Sequence, residues 1–592
     1  MTADDTMSGP PPLPGRTQVL IAGGGPVGLA AAVELGQRGI DCVVVEPREV
    51  VSHARPRCKT VNVRTMEHLR RWGLADRLRA RAPLPVSWSQ DIVFATSLTG
   101  RELSRFHGVL RLSPQGDRFP EPGQQAPQYV LEELLREVVA GLAHVTLVTG
   151  STVTVVKQDP DQVHVTITAT GGVDTMIRAD YVLGCDGPRS TVREQVGSAY
   201  HGEHALRPNF GMVFRAPDLW SHVPHGPAVQ YWTVNPEAPA LLGPLDRTGT
   251  WWIIAFGVDR DTGERRAHEI IDAAAGAPVD ATVLSTDPWT AHMQLVDHAR
   301  VGRVFLAGDA AHLNPPFGGH GLNTGIGDAV DLGWKLAAVL QGWGGPGLLD
   351  SYETERRPVQ ERVIQAAAEN MMTLSGELLA DNLEDNDAAG ARARRAAHER
   401  IQQTKAAEFH ALDLVLDLVH DRSQVIIHDG NRLTDRTERE TPEAQAGARL
   451  GHVWLADGRS LYDVLGAWMT LLVVLDRSVG DDARAEDAVC SLQRAARERG
   501  VPLEVVELPG RGVAERYGAR LVLVRPDQYV AWRSDRAPLD PLALIDRVRG
   551  ADRGAAGTPR AADDATEEEH ERARSDARAR RRRSGRERAA GS

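Results

Sequence analysis

The sequence predicts an α/β protein built on a parallel sheet, with a largely β insertion and a smaller α/β domain near its C-terminal end. Three observations carry this. The first is the order at the start of the chain: an apolar strand (Val19-Leu20-Ile21-Ala22), the turn Gly23-Gly24-Gly25-Pro26-Val27-Gly28, a helix over 29–38 closed by Gly39, and a second strand over 40–45. That second strand is apolar apart from Asp41, as expected of a parallel strand covered on both faces. The second is a tryptophan-rich stretch in which residues 228–234 and 250–257 alternate toward one face, the period of half-buried strands. The third begins near residue 447, where strand and helix patterns run 469–476, 483–499, 503–508, 513–517, 520–524, 528–533 and 541–548.

The remaining elements follow in order. Residues 128–140 and 332–340 have helical periodicity, 145–148, 153–156, 163–167 and 181–183 read as strands, and 355–420 reads as mostly charged helix. The expected organisation is a discontinuous first domain (17–90, 120–195 and 290–360) and a β-sheet region (91–119 and 196–289). A helical connection (361–446) then leads to the C-terminal domain (447–550). Residues 1–16 and 551–592 cannot build a core, being proline-rich or dominated by small and charged side chains. Arg578 and Arg580 to Arg583 read as a solvated run in that tail.

Composition narrows the class. With 592 residues, 42% hydrophobic and 25% charged, the chain is ordinary globular material, not fibrous or wholly disordered. A net charge of −12 argues against a whole-chain nucleic-acid binder. All but four of the 68 basic residues are arginine, the lysines being Lys59, Lys157, Lys335 and Lys405, which reads as codon bias. The four cysteines stand at least 16 residues apart, so no CxxC pair and no cysteine zinc site is expected, and a reducing cytoplasm is. No secretory signal is visible, and the longest nearly apolar run, 19–33, is too short and glycine-rich to span a bilayer.

The glycine turn has a mechanical reading. Gly23 permits the tight turn, Gly25 lets the backbone approach a pyrophosphate, and Gly28 allows close helix–strand packing. The pyrophosphate would sit at the helix N-terminus, beside Pro26 and Val27, where free N–H groups and the dipole favour anions. Glu46 ends the second strand 18 residues after Gly28, the place for a carboxylate that accepts hydrogen bonds from an adenosine ribose. The glycines alone leave FAD and NAD(P) open. Two later segments bear on the choice: Asp180-Tyr181-Val182-Leu183-Gly184-Cys185-Asp186-Gly187-Pro188-Arg189-Ser190-Thr191-Val192-Arg193, and Gly308-Asp309-Ala310-Ala311-His312 continuing through Pro315-Pro316-Phe317-Gly318-Gly319-His320-Gly321-Leu322-Asn323.

With these motifs in this order, residues 19–358 closely resemble the class A flavoprotein aromatic hydroxylases of the para-hydroxybenzoate and phenol hydroxylase type. The C-terminal pattern, with Tyr517-Gly518-Ala519 and 521–527, resembles the thioredoxin-like domain of the polyketide hydroxylase branch. The resemblance implies a Rossmann-like FAD-binding domain, an inserted β-sheet substrate domain and a thioredoxin-like domain without dithiol chemistry. It implies FAD as cofactor, NADPH or NADH as transient co-substrate, and hydroxylation of a phenolic or polyketide-type aromatic by O2 through a flavin C4a-hydroperoxide. Asp309 would meet the ribityl or pyrophosphate region, and Pro316, Gly318, Gly319, Gly321, Leu322 and Asn323 belong to the motif lining the isoalloxazine. Asp186 and Arg193 would support the pyrophosphate region and the passage of NAD(P)H, with Arg57 and Gln128 as further FAD contacts.

No metal site and no catalytic triad is called for, and the candidates for direct contact with the reacting groups are Tyr231, Trp232 and His320. Tyr231 and Trp232 point to opposite strand faces, so at most one can line the substrate cavity. His320 stands where glutamine is frequent in the family, Asp331 where asparagine is, and Gln528 where glycine is. Baeyer–Villiger or epoxidising chemistry on the same scaffold, and a non-catalytic flavin-binding protein, are the alternatives. A halogenase is disfavoured because Thr250-Trp251-Trp252-Ile253-Ile254-Ala255 is not WxWxIP. The partners expected are a small aromatic molecule and O2, not a nucleic acid or a membrane, with a homodimer as the one assembly considered.

Overall fold

The structure, a computed structural model, describes residues 13–56, 59–110, 118–372, 382–428, 444–475, 482–509 and 511–551. Arg57 and the arginine run of the tail lie outside the described residues.

The first sheet is assembled from strands distant in sequence. Its order is Arg300–Val301, Val304–Leu306, Asp174–Gly184, Arg16–Ala22, Cys42–Glu46 and Val145–Thr149. The last four of these run parallel, with Val19 opposite both Cys42 and Tyr181. The antiparallel pair Ser151–Gln158 and Val163–Ala169 extends Asp174–Gly184 on its N-terminal half. Burial explains the apolar runs: Val19, Leu20, Ile21, Val43, Val44 and Val45 are buried in a core shared by the helices and by the antiparallel pair, which contributes Val153, Val156, Val163, Val165 and Ile167. Helix Pro26–Gly36 packs there against Gln128–Ala140 and His320–Leu340.

The second sheet has seven strands, in the order Thr282–Thr290, Pro208–Arg215, Thr250–Phe256, Ala240–Pro244, Gln230–Thr233, Ile92–Ala95 and Glu102–Phe106. It is antiparallel except where Gln230–Thr233 lies parallel to Ile92–Ala95, because those two strands come from separate excursions out of the first domain. One face packs on helix Ala267–Ala275 through Ile270, Ile271 and Ala274. Residues 260–275 read as part of the β region in sequence but form two helices, capped by Asp259 on the Thr262 N–H and closed by Gly276 at φ 82°. On the other face helix Ala388–Phe409 packs through Ala397, Ile401 and Phe409, together with Phe317.

The C-terminal sheet has the order Leu503–Pro509, Met469–Leu475, Leu521–Val524 and Val530–Ser534, its first pair parallel and the others antiparallel. Helices Asp482–Glu498 and Pro541–Val548 accompany it. It docks on the first domain through a buried ionic cluster. Arg525 donates to both Glu355 oxygens at 2.8 Å, to Asp331 at 3.2 Å and to Asp527 at 2.5 Å, while Lys335 donates to Asp331 at 2.9 Å and Glu355 at 2.8 Å. The charge at Asp331 is therefore met by two cations. Among the described residues no helix is long and apolar enough to cross a membrane.

Candidate active site

The glycine turn behaves as three different positions. A Cβ on Gly23 (φ +99°) would lie 2.3 Å from the Cys185 carbonyl oxygen, and one on Gly28 would lie 2.0 Å from the Gly23 oxygen. Both glycines are therefore demanded by backbone approach within the protein. Gly25 is different: its backbone is extended at φ −75°, and a Cβ there meets nothing within 4 Å. The space beside it is open.

That space belongs to one cavity of about 1560 Å³. Gly23, Gly25, Pro26, Val27, Glu46, Gln128, Asp186, Arg193, Asp309, Pro316, Gly318, Gly319, His320, Gly321 and Leu322 all line it, although they come from five separate stretches of chain. Two helices, Pro26–Gly36 and His320–Leu340, open onto it. Neither has a side-chain N-cap nor an acidic residue in its first turn, so both ends keep unpaired N–H groups and partial positive charge. An anionic pyrophosphate and an electron-rich ring edge are the groups such ends accept. With the room beside Gly25, the residues present fit FAD.

The polar side chains around the cavity are held in place by the protein. Glu46 accepts from the Gly24 N–H at 2.8 Å and from Arg48 at 2.6 Å. Asp186 accepts from Ser190 at 2.5 Å and from the Val192 N–H at 3.1 Å, capping helix Thr191–Gln195, and burial holds its carboxyl above the ordinary value. Arg193 donates to the Pro188 carbonyl at 3.0 Å and lies 4.1 Å from the Tyr200 ring centroid. Tyr200 in turn donates to the Asp309 carbonyl. Behind Asp309, Asp328 accepts from the Gly308 N–H (3.2 Å), from Arg356 (2.8 Å) and from Gln360 (3.2 Å), and pairs with His312 (3.0 Å). The burial of Asp328 would raise its pKa, but the Arg356 charge and the His312 bond hold it down at about 2.

Four sequence candidates stand off the cavity. Gly28 packs inside the turn. The Asn323 side chain is spent on the protein: its oxygen accepts from the Asn62 N–H (3.0 Å) and the Thr65 hydroxyl (2.8 Å), and its amide donates to Thr60 (3.1 Å) and Gly319 (2.8 Å). It clamps the helix start and does not face the cavity. Tyr231 and Trp232 are corrected in the same way. Tyr231 belongs to the core under helix Ala267–Ala275, its hydroxyl bonded to the Gly226 carbonyl. Trp232 turns to the opposite face, as alternation requires, but is covered by Phe94, stacked at 5.4 Å, and by Phe256, Phe317 and Phe409. From this sheet Gln230, Leu241, Trp252, Ile254 and Phe256 reach the cavity instead. Trp252 carries an indole N–H with no partner among the described residues and has the Lys59 ammonium 3.6 Å from its ring centroid.

One residue was not anticipated. Glu408, near the end of helix Ala388–Phe409, is buried, accepts from Lys405 Nζ at 2.9 Å and lines the cavity. Burial raises its pKa against the pull of Lys405 and of the Gly318 N–H. The signal available in sequence was a lysine, rare in this chain, three residues before a glutamate. Asp331, Glu355 and His420 bring three ligand-type atoms within 4.8 Å of one another, but Lys335 and Arg525 already occupy both carboxylates.

Comparison with known proteins gives the family. A family profile described as "FAD binding domain" matches residues 16–367, and one described as "Aromatic-ring hydroxylase, C-terminal" matches residues 443–551. The chain is 33% identical over 562 residues to the FAD-dependent monooxygenase apdD of Emericella nidulans, covering 87% of each. It is 32% identical over 559 residues to a putative polyketide hydroxylase of Streptomyces halstedii, covering 88% of this chain and 93% of that one. Among solved structures, the rebeccamycin biosynthetic enzyme RebC with reduced flavin superposes with a TM-score of 0.82 at 35% identity, over 91% of this chain and all of that one. With the two glycine-rich turns, the uncapped helix ends and the matched C-terminal domain in a single chain, the protein belongs to the FAD-dependent aromatic-ring hydroxylases, flavoprotein monooxygenases that use NAD(P)H as co-substrate.

Proposed function

We propose that the protein hydroxylates a phenolic or polyketide-type aromatic compound, and that the glycine turn, Glu46, Gln128, Asp309 and the start of helix His320–Leu340 hold FAD for that reaction. The observation that carries this is the continuity of the cavity. The polar turns run without a break into an apolar space roofed by Leu241, Trp252, Ile254, Phe256, Phe317 and Phe409. A volume of about 1560 Å³ exceeds that of a typical small-molecule pocket, about 300–1,000 Å³, and so has room for a cofactor and a polycyclic substrate together. Bound FAD supplies hydride acceptance from NAD(P)H and the activation of O2.

The chain's own part is binding, orientation and exclusion of water. The Pro26–Gly36 helix end would hold the pyrophosphate. The N–H groups of His320, Gly321 and Leu322 would hold the flavin ring and favour negative charge on it. The aromatic roof stacks on a planar ring and keeps water away from the reacting oxygen. Trp252 offers a hydrogen-bond donor to a substrate oxygen, and Lys59 beside it favours a phenolate. The domain boundaries at 17–90, 120–195 and 290–360, around a sheet region at 91–119 and 196–289, follow from the same division of labour. A cytoplasmic location, from the cysteine spacing, and a homodimer complete the proposal.

The test is the visible spectrum of the purified protein, then NADH and NADPH oxidation with a panel of phenols and anthraquinone-type polyketides, with 18O2 and product mass. Incorporation of one labelled oxygen is expected. A protein that stays colourless with added FAD, or a panel in which nothing raises the oxidation rate, overturns the proposal.

A further inference from the structure

Behind the start of helix His320–Leu340, at the seam with the C-terminal domain, lies a second, small cavity of about 60 Å³. It meets the large one at Asn62, His320 and Val415, which line both, and of these only His320 can carry a proton on its side chain. Three imidazole nitrogens on residues of its wall, His320 Nε2, His68 Nδ1 and His420 Nδ1, have no hydrogen-bond partner among the described residues. The three residues are only 5%, 3% and 3% exposed. Native interiors seldom leave one such group unpaired, and three on these walls call for a polar occupant; of the three, His320 Nε2 lies beside Gly318, which lines the large cavity.

The chamber's chemistry selects water. Its volume is well above the roughly 10–15 Å³ that a cavity needs to hold one water, and at a liquid share of about 30 Å³ each it has room for about two. The other charged and titratable groups facing it are Arg64 and Arg356, Asp331 and Asp527, and the Tyr529 hydroxyl. Both carboxylates are already bonded to Lys335 or Arg525, which leaves nothing to hold a metal ion. His420 is stacked on Tyr529 at 4.1 Å and lies 3.8 Å from Glu355. The chamber thus runs from the flavin cavity to the ionic seam between domains.

The reaction gives such a chamber a task. Hydroxylation by the balance ArH + O2 + NAD(P)H + H⁺ → ArOH + NAD(P)⁺ + H2O takes up one proton from outside per turnover, and that proton has to reach the reacting groups in the large cavity. We propose that the chamber holds ordered waters and that His320 passes protons from it into the large cavity, an inference that rests on the flavin monooxygenase reading. A neutral imidazole does this by accepting a proton on one ring nitrogen while releasing one from the other. The bond broken is replaced by the bond formed, and the proton ends in the product water. His320 is a relay; no bond of the substrate is made to it.

The test uses the full-length holoenzyme and separates the two readings. A crystal structure at a resolution that shows ordered water should place waters within about 3.2 Å of the three nitrogens. Reoxidation of the dithionite-reduced enzyme by O2, with no aromatic compound present, also consumes a proton (FADH⁻ + O2 + H⁺ → FAD + H2O2) and is followed by flavin absorbance in H2O and D2O. His320→Leu should slow it about 100-fold with the flavin spectrum retained, and His320→Gln should recover about tenfold of that. His420→Leu, at the far end, should also slow it and change the solvent isotope effect, which a merely structural residue would not do. A dry chamber overturns the proposal. So do wild-type reoxidation rates and isotope effects in both leucine variants. Failure to bind FAD would count against the flavin reading alone, and the water positions would then decide the chamber.

Discussion

Gly25→Ala separates what the glycine turn does for the fold from what it does for its ligand. At φ −75° and ψ −179° the Gly25 backbone suits any residue, and a Cβ there meets no protein atom within 4 Å. The substitution should leave the apo-protein within about 1 kcal/mol of wild type, and slightly more stable, because alanine loses less chain entropy on folding. Gly28→Ala and Gly23→Ala put a methyl 2.0 and 2.3 Å from backbone oxygens, and the positive φ at Gly23 alone costs an L-residue about 1–2 kcal/mol. Those variants should unfold at clearly lower denaturant concentration. The methyl at Gly25 instead fills the approach of a pyrophosphate to the helix end. Losing one charge-assisted hydrogen bond, about 1.5–3 kcal/mol, corresponds to about 10- to 100-fold weaker FAD binding. Urea unfolding of the apo-protein and fluorescence titration with FAD read the two quantities separately. Wild-type FAD affinity in Gly25→Ala, or a stability loss as large as that of Gly28→Ala, refutes the reasoning.

Three further outcomes follow from buried groups. Arg525→Met leaves Glu355, Asp527 and Asp331 facing one another with only Lys335 between them, and should cost about 3–5 kcal/mol in denaturant unfolding; a loss under about 1 kcal/mol would show that the cluster does not hold the domains together. Gln528 sits at φ +67° with its amide oxygen bonded to Arg64 at 2.5 Å, so Gln528→Gly exchanges a bond for relief of strain and should change stability by less than about 1 kcal/mol, whereas Gln528→Ala keeps the strain and should cost about 2 kcal/mol; equal effects of the two would refute this. Burial pushes the His320 pKa from 6.5 down to about 4. As pH falls, the unfolded chain therefore takes up this proton first, so the contribution is complete above about pH 6.5 and is lost toward pH 4. Between pH 7 and 5 the loss is about 2 kcal/mol, to be read as the difference in stability between wild type and His320→Gln at the two pH values, and a pH-independent difference would count against it.

What could be read from the chain follows from what backbone and side chains each require. Strand, glycine turn, helix and strand at 19–45 are local, since a buried parallel strand must be apolar throughout and a tight turn must be glycine. The family followed from the three motifs in order. Side-chain direction was less legible. Alternation correctly put Tyr231 and Trp232 on opposite faces, but which face is cavity and which is core depends on helix Ala388–Phe409 and Phe317 arriving from far away. The helices at 260–275 were hidden because a charged turn of six residues and an Ala-rich amphipathic one of nine lie inside a region otherwise patterned as strands. Two of the three departures from family pattern, Asp331 and Gln528, make sense only in three dimensions: Asp331 is neutralised by Lys335 and Arg525, and Gln528 is tied down by Arg64.

The lysines carry the same lesson further. In a chain that uses arginine almost everywhere, Lys335 and Lys405 are 0% exposed and each bridges a buried carboxylate, while Lys59 lies over Trp252 in the cavity. A compact ammonium fits between two helices where a planar guanidinium would need more room, so these positions are set by space and not by codon usage. Lys335 explains the C-terminal domain in turn. That domain has no cysteine pair, but Asp331 lies eleven residues after His320, about three helical turns, and so on the same face of the helix that opens the flavin cavity. Lys335 alone cannot neutralise both Asp331 and Glu355. Arg525 supplies the missing charge from the C-terminal sheet, and Asp527 and Tyr529, on the same turn, close the small chamber behind His320. The domain thus packs behind the helix that lines the large cavity, and the helix that carries His320 keeps its buried acids only while that domain is in place.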